Sequence, residues 1–345
     1  MDRIVGKNRL RVDGKFFSID GLRVWLRCVT YGPFPQPLPV HDTELKRIKA
    51  AGFHAIRIYE APTAELLEAA KTHDLLLFVG IPWQWYRVFL GGADETYWHE
   101  GRIDFLQGLR EWGSHPNVAA IYIANELPVD VVRWMGADKV RAALDALIID
   151  LRGEFPHLLY AYSSFPTTEF LEPMEADFTA FNIYLENPEN FRSYLDHLHH
   201  VAGDRPLLIS ETGLDSYRNG VKKQAEILKW IVEIAHHAGT AGVTLFSWSD
   251  LWQNGDKVVT DWDFGLTDRE GNAKPALENL LNESKTEKSY LPALIDSPLI
   301  SVIICVHNGV DRVQEFLGYC DSFDYSNYEV IIVDDGSKDD LEELC

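Results

Sequence analysis

Ile121-Tyr122-Ile123-Ala124-Asn125-Glu126-Leu127-Pro128 is an unbroken apolar run that ends abruptly in an amide, a carboxylate and a proline. An apolar stretch without alternation reads as a strand covered on both faces, as in a parallel sheet packed between helices. When such a sheet closes into a barrel, the chemistry gathers at the C-terminal ends of the strands, where Asn125 and Glu126 fall. One carboxylate there has no mechanism by itself, whereas a second at the end of another strand would supply one.

Outward from this stretch, strand-like apolar runs recur at 24–30, 55–59, 75–81, 118–124, 158–163, 178–184, 206–210 and 242–248. Helix-compatible segments at 42–51, 62–73, 101–113, 136–153, 168–175, 188–202, 220–238 and 274–283 separate them, with Asp42, Pro62 and Pro188 as early helix signals and Gly52 and Gly239 as stops. Alternating strands and helices give a parallel sheet, and eight repeats close it into an α/β fold of the (β/α)8 TIM barrel type, which needs about 250 residues. Residues 9–21 alternate around Asp13-Gly14 and Asp20-Gly21, which predicts an N-terminal β-hairpin plugging the barrel floor. The barrel with its hairpin is expected over 1–283. A polar, proline-bearing linker follows over 284–298, and 299–345 read as the first strand, helix and second strand of a truncated α/β nucleotide-binding fragment.

Composition narrows the partners. The 32 basic against 53 acidic residues leave a formal net charge of −21, which excludes nucleic acid and anionic membrane surfaces and favours a neutral ligand. The N-terminus lacks an apolar signal core and no later run is long enough to span a bilayer, so the expectation is a cytoplasmic protein without a membrane span. Cys28, Cys305, Cys320 and Cys345 show no CxxC spacing and read as free thiols. The histidines, including His197, His199, His200, His236 and His237, form no ligand pattern, so no metal and no cofactor are expected.

The strand ends can be inspected together because they share one mouth. They read Arg57-Ile58-Tyr59-Glu60, Asn125-Glu126, Asn182-Ile183-Tyr184, Ser210-Glu211-Thr212-Gly213 and Ser247-Trp248-Ser249-Asp250. Glu211 is the second carboxylate, on strand seven against Glu126 on strand four. Two carboxyl groups facing across a mouth suit cleavage of a glycosidic bond, one donating a proton to the leaving oxygen and the other attacking the anomeric carbon. Arg57 would pair with Glu211, a Tyr184 hydroxyl could donate to it, Asn125 could reach a sugar hydroxyl, and Trp248 offers a flat face to a pyranose. Trp83 and Trp85, in the loop after strand three, suggest further sugar contacts, with packing beneath long loops as the alternative.

These motifs carry a resemblance. Asn125-Glu126, Asn182-Ile183-Tyr184, Ile209-Ser210-Glu211-Thr212-Gly213, Trp248 and the tail from Phe264-Gly265-Leu266-Thr267-Asp268-Arg269-Glu270-Gly271 to Lys274-Pro275-Ala276-Leu277 resemble the catalytic barrel of glycoside hydrolase clan A, nearest to family two, over 8–283. The resemblance implies a retaining β-glycosidase with Glu126 as acid/base and Glu211 as nucleophile, supported by Arg57, Asn125, Tyr184 and Trp248. It fixes the reaction rather than the sugar, and a carbohydrate is the implied partner. Ser301-Val302-Ile303-Ile304 and Val333-Asp334-Asp335-Gly336-Ser337 resemble the opening of a GT-A type family-two glycosyltransferase, which implies a nucleotide contact at Asp335. Cys305-Val306-His307-Asn308 departs from that pattern, and the metal-binding DxD and catalytic base of the family are absent from the sequence, so this fragment is not expected to transfer sugar. Two alternatives stay open for the barrel: a transglycosidase remodelling a glycan made by the fused transferase, and a non-catalytic carbohydrate-binding accessory.

Overall fold

The structure, a computed structural model, describes residues 10–80, 106–283 and 298–344 apart from 321 and 324. The chain divides into two compact units, Met1–Leu291 and Pro292–Cys345.

In the first unit eight parallel strands close a barrel: β4 (Leu26–Thr30), β5 (Ala55–Ile58), β6 (Leu76–Gly80), β7 (Val118–Asn125), β8 (Leu159–Ser164), β9 (Thr179–Asn182), β10 (Leu207–Thr212) and β11 (Gly242–Leu245). Each matches one expected run. Closure comes where β11 pairs with β4, from Gly242 beside Leu26 to Leu245 beside Val29. A Cβ at Gly242 would stand 2.3 Å from the Leu26 carbonyl oxygen, so only glycine lets this seam shut.

Strand alternation then sorts side chains into two layers. Ile56, Ile58, Leu77, Val79, Ile121, Ile209 and Val243 face outward into one apolar cluster with the helices, against residues such as Leu45, Ile48, Leu144, Leu195 and Ile231. Leu26, Cys28, Ala55, Phe78, Tyr122, Ala161, Ala180 and Leu208 form a second cluster inside the lumen.

The floor is sealed by a three-stranded antiparallel sheet, β1 (Leu10–Asp13), β2 (Phe16–Ile19) and β3 (Leu22–Val24), rather than by a two-stranded hairpin. The third strand hides in the sequence because Leu22 to Val24 run on into barrel strand β4 with no turn signal between them. Asp20 and Gly21, at φ 52° and 85°, make the two-residue turn between β2 and β3, in which both residues take positive φ. Leu10, Phe17 and Val24 from this sheet join the lumen cluster. Phe17 meets Phe178 edge-on at 5.4 Å between ring centres, and Phe178 contacts Phe78 and Tyr122 at 6.2 and 6.1 Å.

The helices follow the expected segments with local differences. Asp42 lies in the first turn of the helix His41–Ala50 rather than at its cap, Thr63 accepts the Leu66 N–H at 3.2 Å to cap Ala64–Thr72, and Asn187 caps Pro188–Ala202. The fifth expected helix is a 3-10 segment, Pro166–Leu171, interrupted at Thr168. There Thr168 is tied back to β8, its hydroxyl 3.1 Å from the Tyr162 hydroxyl and its carbonyl accepting from Ser164 at 3.2 Å. Two short helices, Val129–Met135 and Ser216–Asn219, and the ribbon β12 (Trp252–Asn254) with β13 (Lys257–Val259) have no counterpart in the sequence reading. The expected third helix is described over 106–112, and the linker segment 284–297 lies outside the described residues. No described helix is long and apolar enough to cross a membrane.

The second unit pairs β14 (Ile300–Val306) in parallel with β15 (Tyr328–Asp334), joined through the helix Val310–Cys320.

Phe178→Ala should destabilise the first unit by about 3–5 kcal/mol by opening a void between floor and lumen. Urea unfolding followed by tryptophan fluorescence checks it.

Candidate active site

The site grows from Arg57. Alternation along β5 points residues 55, 57 and 59 to the lumen side, so the guanidinium enters a barrel whose lower layers are apolar. Its side chain is 0% exposed and lies over the Tyr122 ring at 4.5 Å, with the Tyr59 ring at 4.7 Å. Burying a cation this deeply is costly unless acceptors offset it; here both terminal nitrogens find them, while Nε has no partner among the described residues. Nη1 donates to the Ser210 carbonyl at 2.6 Å and pairs with Glu211 Oε1 at 2.9 Å. Nη2 donates to Asn125 Oδ1 at 2.7 Å and to Ser163 Oγ at 3.3 Å.

β10 brings Glu211 to this cation by a break in its register. Pairing with β9 shifts between Ile209 and Glu211, which lets the adjacent residues Ser210 and Glu211 both face inward. Ser210 Oγ donates to Asn182 Oδ1 at 2.8 Å, while Glu211 receives the Tyr59 hydroxyl on Oε1 at 2.6 Å and the Tyr184 hydroxyl on Oε2 at 3.0 Å. Burial above all holds both phenols well above their usual pKa, so they act as donors.

Across the mouth, the register of β7 against β8 shifts between Tyr122 and Ala124, and the strand ends at Asn125. The next residue, Glu126, sits at φ 44°, a left-handed backbone uncommon outside glycine, with its N–H bonded to the Ser163 carbonyl at 2.9 Å. Asn182 Nδ2 reaches Glu126 Oε1 at 2.9 Å and Asn125 Oδ1 at 3.1 Å. Asn125 Oδ1 is thereby committed to Arg57 and Asn182, which leaves the Nδ2 donors as what Asn125 can offer a ligand. Burial, then the charge of Glu211, raises the Glu126 pKa, against the opposing Asn182 hydrogen bond and the charge of Arg57. The arrangement therefore holds one carboxyl group that favours its proton and another gripped by a cation and two phenols.

Arg57, Asn125, Glu126, Tyr184 and Glu211 are thus brought together. Trp248 is not. It is 1% exposed, belongs to the apolar layer between barrel and helices, and donates its indole N–H to Glu44 at 2.7 Å. Strict alternation beyond β11 would put residues 244, 246 and 248 on one face, and it breaks here: Phe246 packs beside Tyr184 at the mouth, whereas Trp248 is enclosed in the outer layer. Phe246 instead packs with Trp252 at 4.9 Å, Phe264 at 5.6 Å and Trp262 at 5.7 Å, and reaches Tyr184 at 6.4 Å. Trp83 and Trp85 lie outside the described residues. Tyr59, Asn182, Ser163 and Ser210 were missed as site residues, although Tyr59 shares the inward face with Arg57 at a spacing of two.

Asp335, in the second unit, donates its N–H to the Val306 carbonyl at 2.8 Å, and its own carbonyl lies 2.9 Å from His307 Nδ1. The neighbouring Asp334 accepts the Ser337 N–H at 2.9 Å, fixing the turn after β15. Among the described residues no group of three or more His, Cys, Asp or Glu side chains is placed to hold a metal ion.

Comparison with solved structures finds the same fold in several glycosidases. A GH2 β-galacturonidase from Eisenbergiella tayi bound to galacturonate is 17% identical with a TM-score of 0.66, covering 82% of this chain and 55% of that one. β-Glucuronidase 2 of Bacteroides uniformis, covalently bound to cyclophellitol-6-carboxylate aziridine, gives 15% identity and a TM-score of 0.68 over 86% of this chain and 39% of that one. A β-D-glucuronidase from Dictyoglomus thermophilum gives 17% and 0.67 over 82% and 54%. The chain thus spans about half the length, or less, of these neighbours. Residues 301–345 match the family model of glycosyl transferase family 2. An uncharacterised glycosyltransferase of Rickettsia prowazekii is 44% identical over 51 residues, 15% of this chain and 16% of that protein. The barrel shares its fold with these enzymes, and the C-terminal stretch is similar to glycosyl transferase family 2 over residues 301–345.

The left-handed backbone at Glu126 costs about 1–2 kcal/mol. Glu126→Gly should relieve it, raising Tm by a few degrees in differential scanning calorimetry.

Proposed function

We propose that the barrel is a retaining β-glycosidase acting by double displacement on a β-linked glycan or oligosaccharide. The observation that carries this reading is the unequal treatment of two carboxyl groups: Arg57, Tyr59 and Tyr184 grip Glu211, while burial and then the charge of Glu211 raise the pKa of Glu126. In the first step a Glu211 oxygen forms a bond to the anomeric carbon as the glycosidic C–O bond breaks, and Glu126 passes its proton to the departing oxygen. In the second, the Glu126 carboxylate takes a proton from water, whose oxygen displaces Glu211 and restores the original configuration. Asn125 Nδ2 is placed to donate to a hydroxyl beside the reacting carbon, and the Phe246, Trp252 and Trp262 rings supply an apolar wall for the sugar.

A second reading has its own support. The match of 301–345 to glycosyl transferase family 2 favours a transglycosidase, in which a sugar hydroxyl replaces water in the second step and the barrel reshapes a glycan built by the fused enzyme.

An activated 2-deoxy-2-fluoro β-glycoside should leave one sugar on the peptide containing Glu211 by mass spectrometry. A label on any other peptide overturns the assignment. Glu126→Ala should lower kcat by about 10²–10⁴-fold on poor leaving groups and much less on activated aryl glycosides, with azide restoring turnover. Because the Glu211 charge raises the Glu126 pKa, the carboxyl carbon resonance of Glu126 should titrate above the usual carboxylate range in the wild type. It should move down in Glu211→Gln.

A further inference from the structure

We infer that Tyr59 is a positioning residue for Glu211: it locks the carboxylate oxygen that does not attack and so selects the oxygen facing Tyr184 as the nucleophile. The inference rests on the glycosidase reading above and deepens it.

The two oxygens of Glu211 are held unequally. Oε1 receives two donors, the Tyr59 hydroxyl at 2.6 Å and Arg57 Nη1 at 2.9 Å. Oε2 receives one, the Tyr184 hydroxyl at the longer distance of 3.0 Å. Each donor draws electron density from the oxygen it binds, and the charge-assisted contacts are the strongest. Oε1 therefore carries the poorer lone pairs and the more rigid placement, and Oε2 the freer ones. Tyr184 is also the more exposed clamp, at 41%, whereas Tyr59 is wedged between the Arg57 guanidinium at 4.7 Å and the Trp252 ring at 6.0 Å.

When Oε2 bonds to the anomeric carbon, Oε1 becomes the ester carbonyl oxygen. The phenolic proton of Tyr59 stays on its own oxygen throughout, as does that of Tyr184. Tyr59 and Arg57 then donate to that carbonyl, keeping the ester from rotating and polarising it for the second displacement. The same pair serves both half-reactions, whereas Tyr184 must loosen its bond to Oε2 as the ester forms.

Tyr59→Phe removes the hydroxyl and keeps the ring contacts with Arg57 and Trp252. The expected result is a 10–100-fold slower labelling of Glu211 by the fluoro-sugar, a comparable fall in kcat, and little change in the dissociation constant of a non-reactive ground-state analogue. A role confined to packing would leave the labelling rate unaltered once a thermal melt shows the fold intact, and that result overturns the inference. Independently of any variant, the crystal structure of the trapped wild-type adduct should show the ester through the oxygen nearer Tyr184, with Tyr59 bonded to the carbonyl oxygen. An ester through the oxygen nearer Tyr59 overturns it. The absence of any label on Glu211 would instead overturn the glycosidase reading itself, so the two failures are distinguishable.

Discussion

The buried guanidinium of Arg57 is the constraint around which the barrel mouth is built. A fully enclosed cation is tolerated only where acceptors surround it, and removing one partner of such a pair costs about 3–5 kcal/mol. Four strands answer that demand: β7 with Asn125, β8 with Ser163, and β10 with the Ser210 carbonyl and Glu211, while β9 braces them through Asn182. Satisfying one charge thus fixes the orientation of nearly every polar side chain above the apolar lumen. The geometry of the candidate site is, in this sense, the solution to a solvation problem.

The same demand explains why regular strands do not suffice. Perfect alternation would turn Ser210 and Glu211 to opposite faces, and would leave Tyr122 and Asn125 on opposite sides of β7. Register shifts in both strands, and a left-handed residue at Glu126, spend backbone regularity to aim these groups at one point. The irregularities sit at the strand ends, where the outer layer of isoleucine, leucine and valine against the helices is already complete. Below them the barrel remains regular and can carry the strain.

This division also marks what could be read from the sequence. Eight buried strands and most helices were legible because an apolar run between turn signals has few other interpretations. Glu126, Glu211, Arg57, Asn125 and Tyr184 were legible because they interrupt such runs at the expected end. Trp248 could not be placed from the sequence because counting by two from Thr244 puts residues 246 and 248 on one face, and only the structure shows that alternation breaks between them. Asn182 and Tyr59 were visible in the strand-end strings, yet nothing local distinguishes a side chain that bonds a site carboxylate from one that merely caps a strand. The third floor strand was lost because β3 and β4 follow each other with no turn signal between them, so that only tertiary pairing reveals the break.

The ring stack from Phe17 through Phe178 and Tyr122 to Arg57 has a consequence for traffic. It makes the barrel a cup and not a pipe: if the barrel works as the proposed glycosidase, substrate, leaving group and the molecule that completes the second step all use one opening. The departing group must clear that opening before its replacement enters, which enforces a strict order on the two half-reactions. Whatever lingers at the rim between them decides whether water or another sugar takes the glycosyl unit.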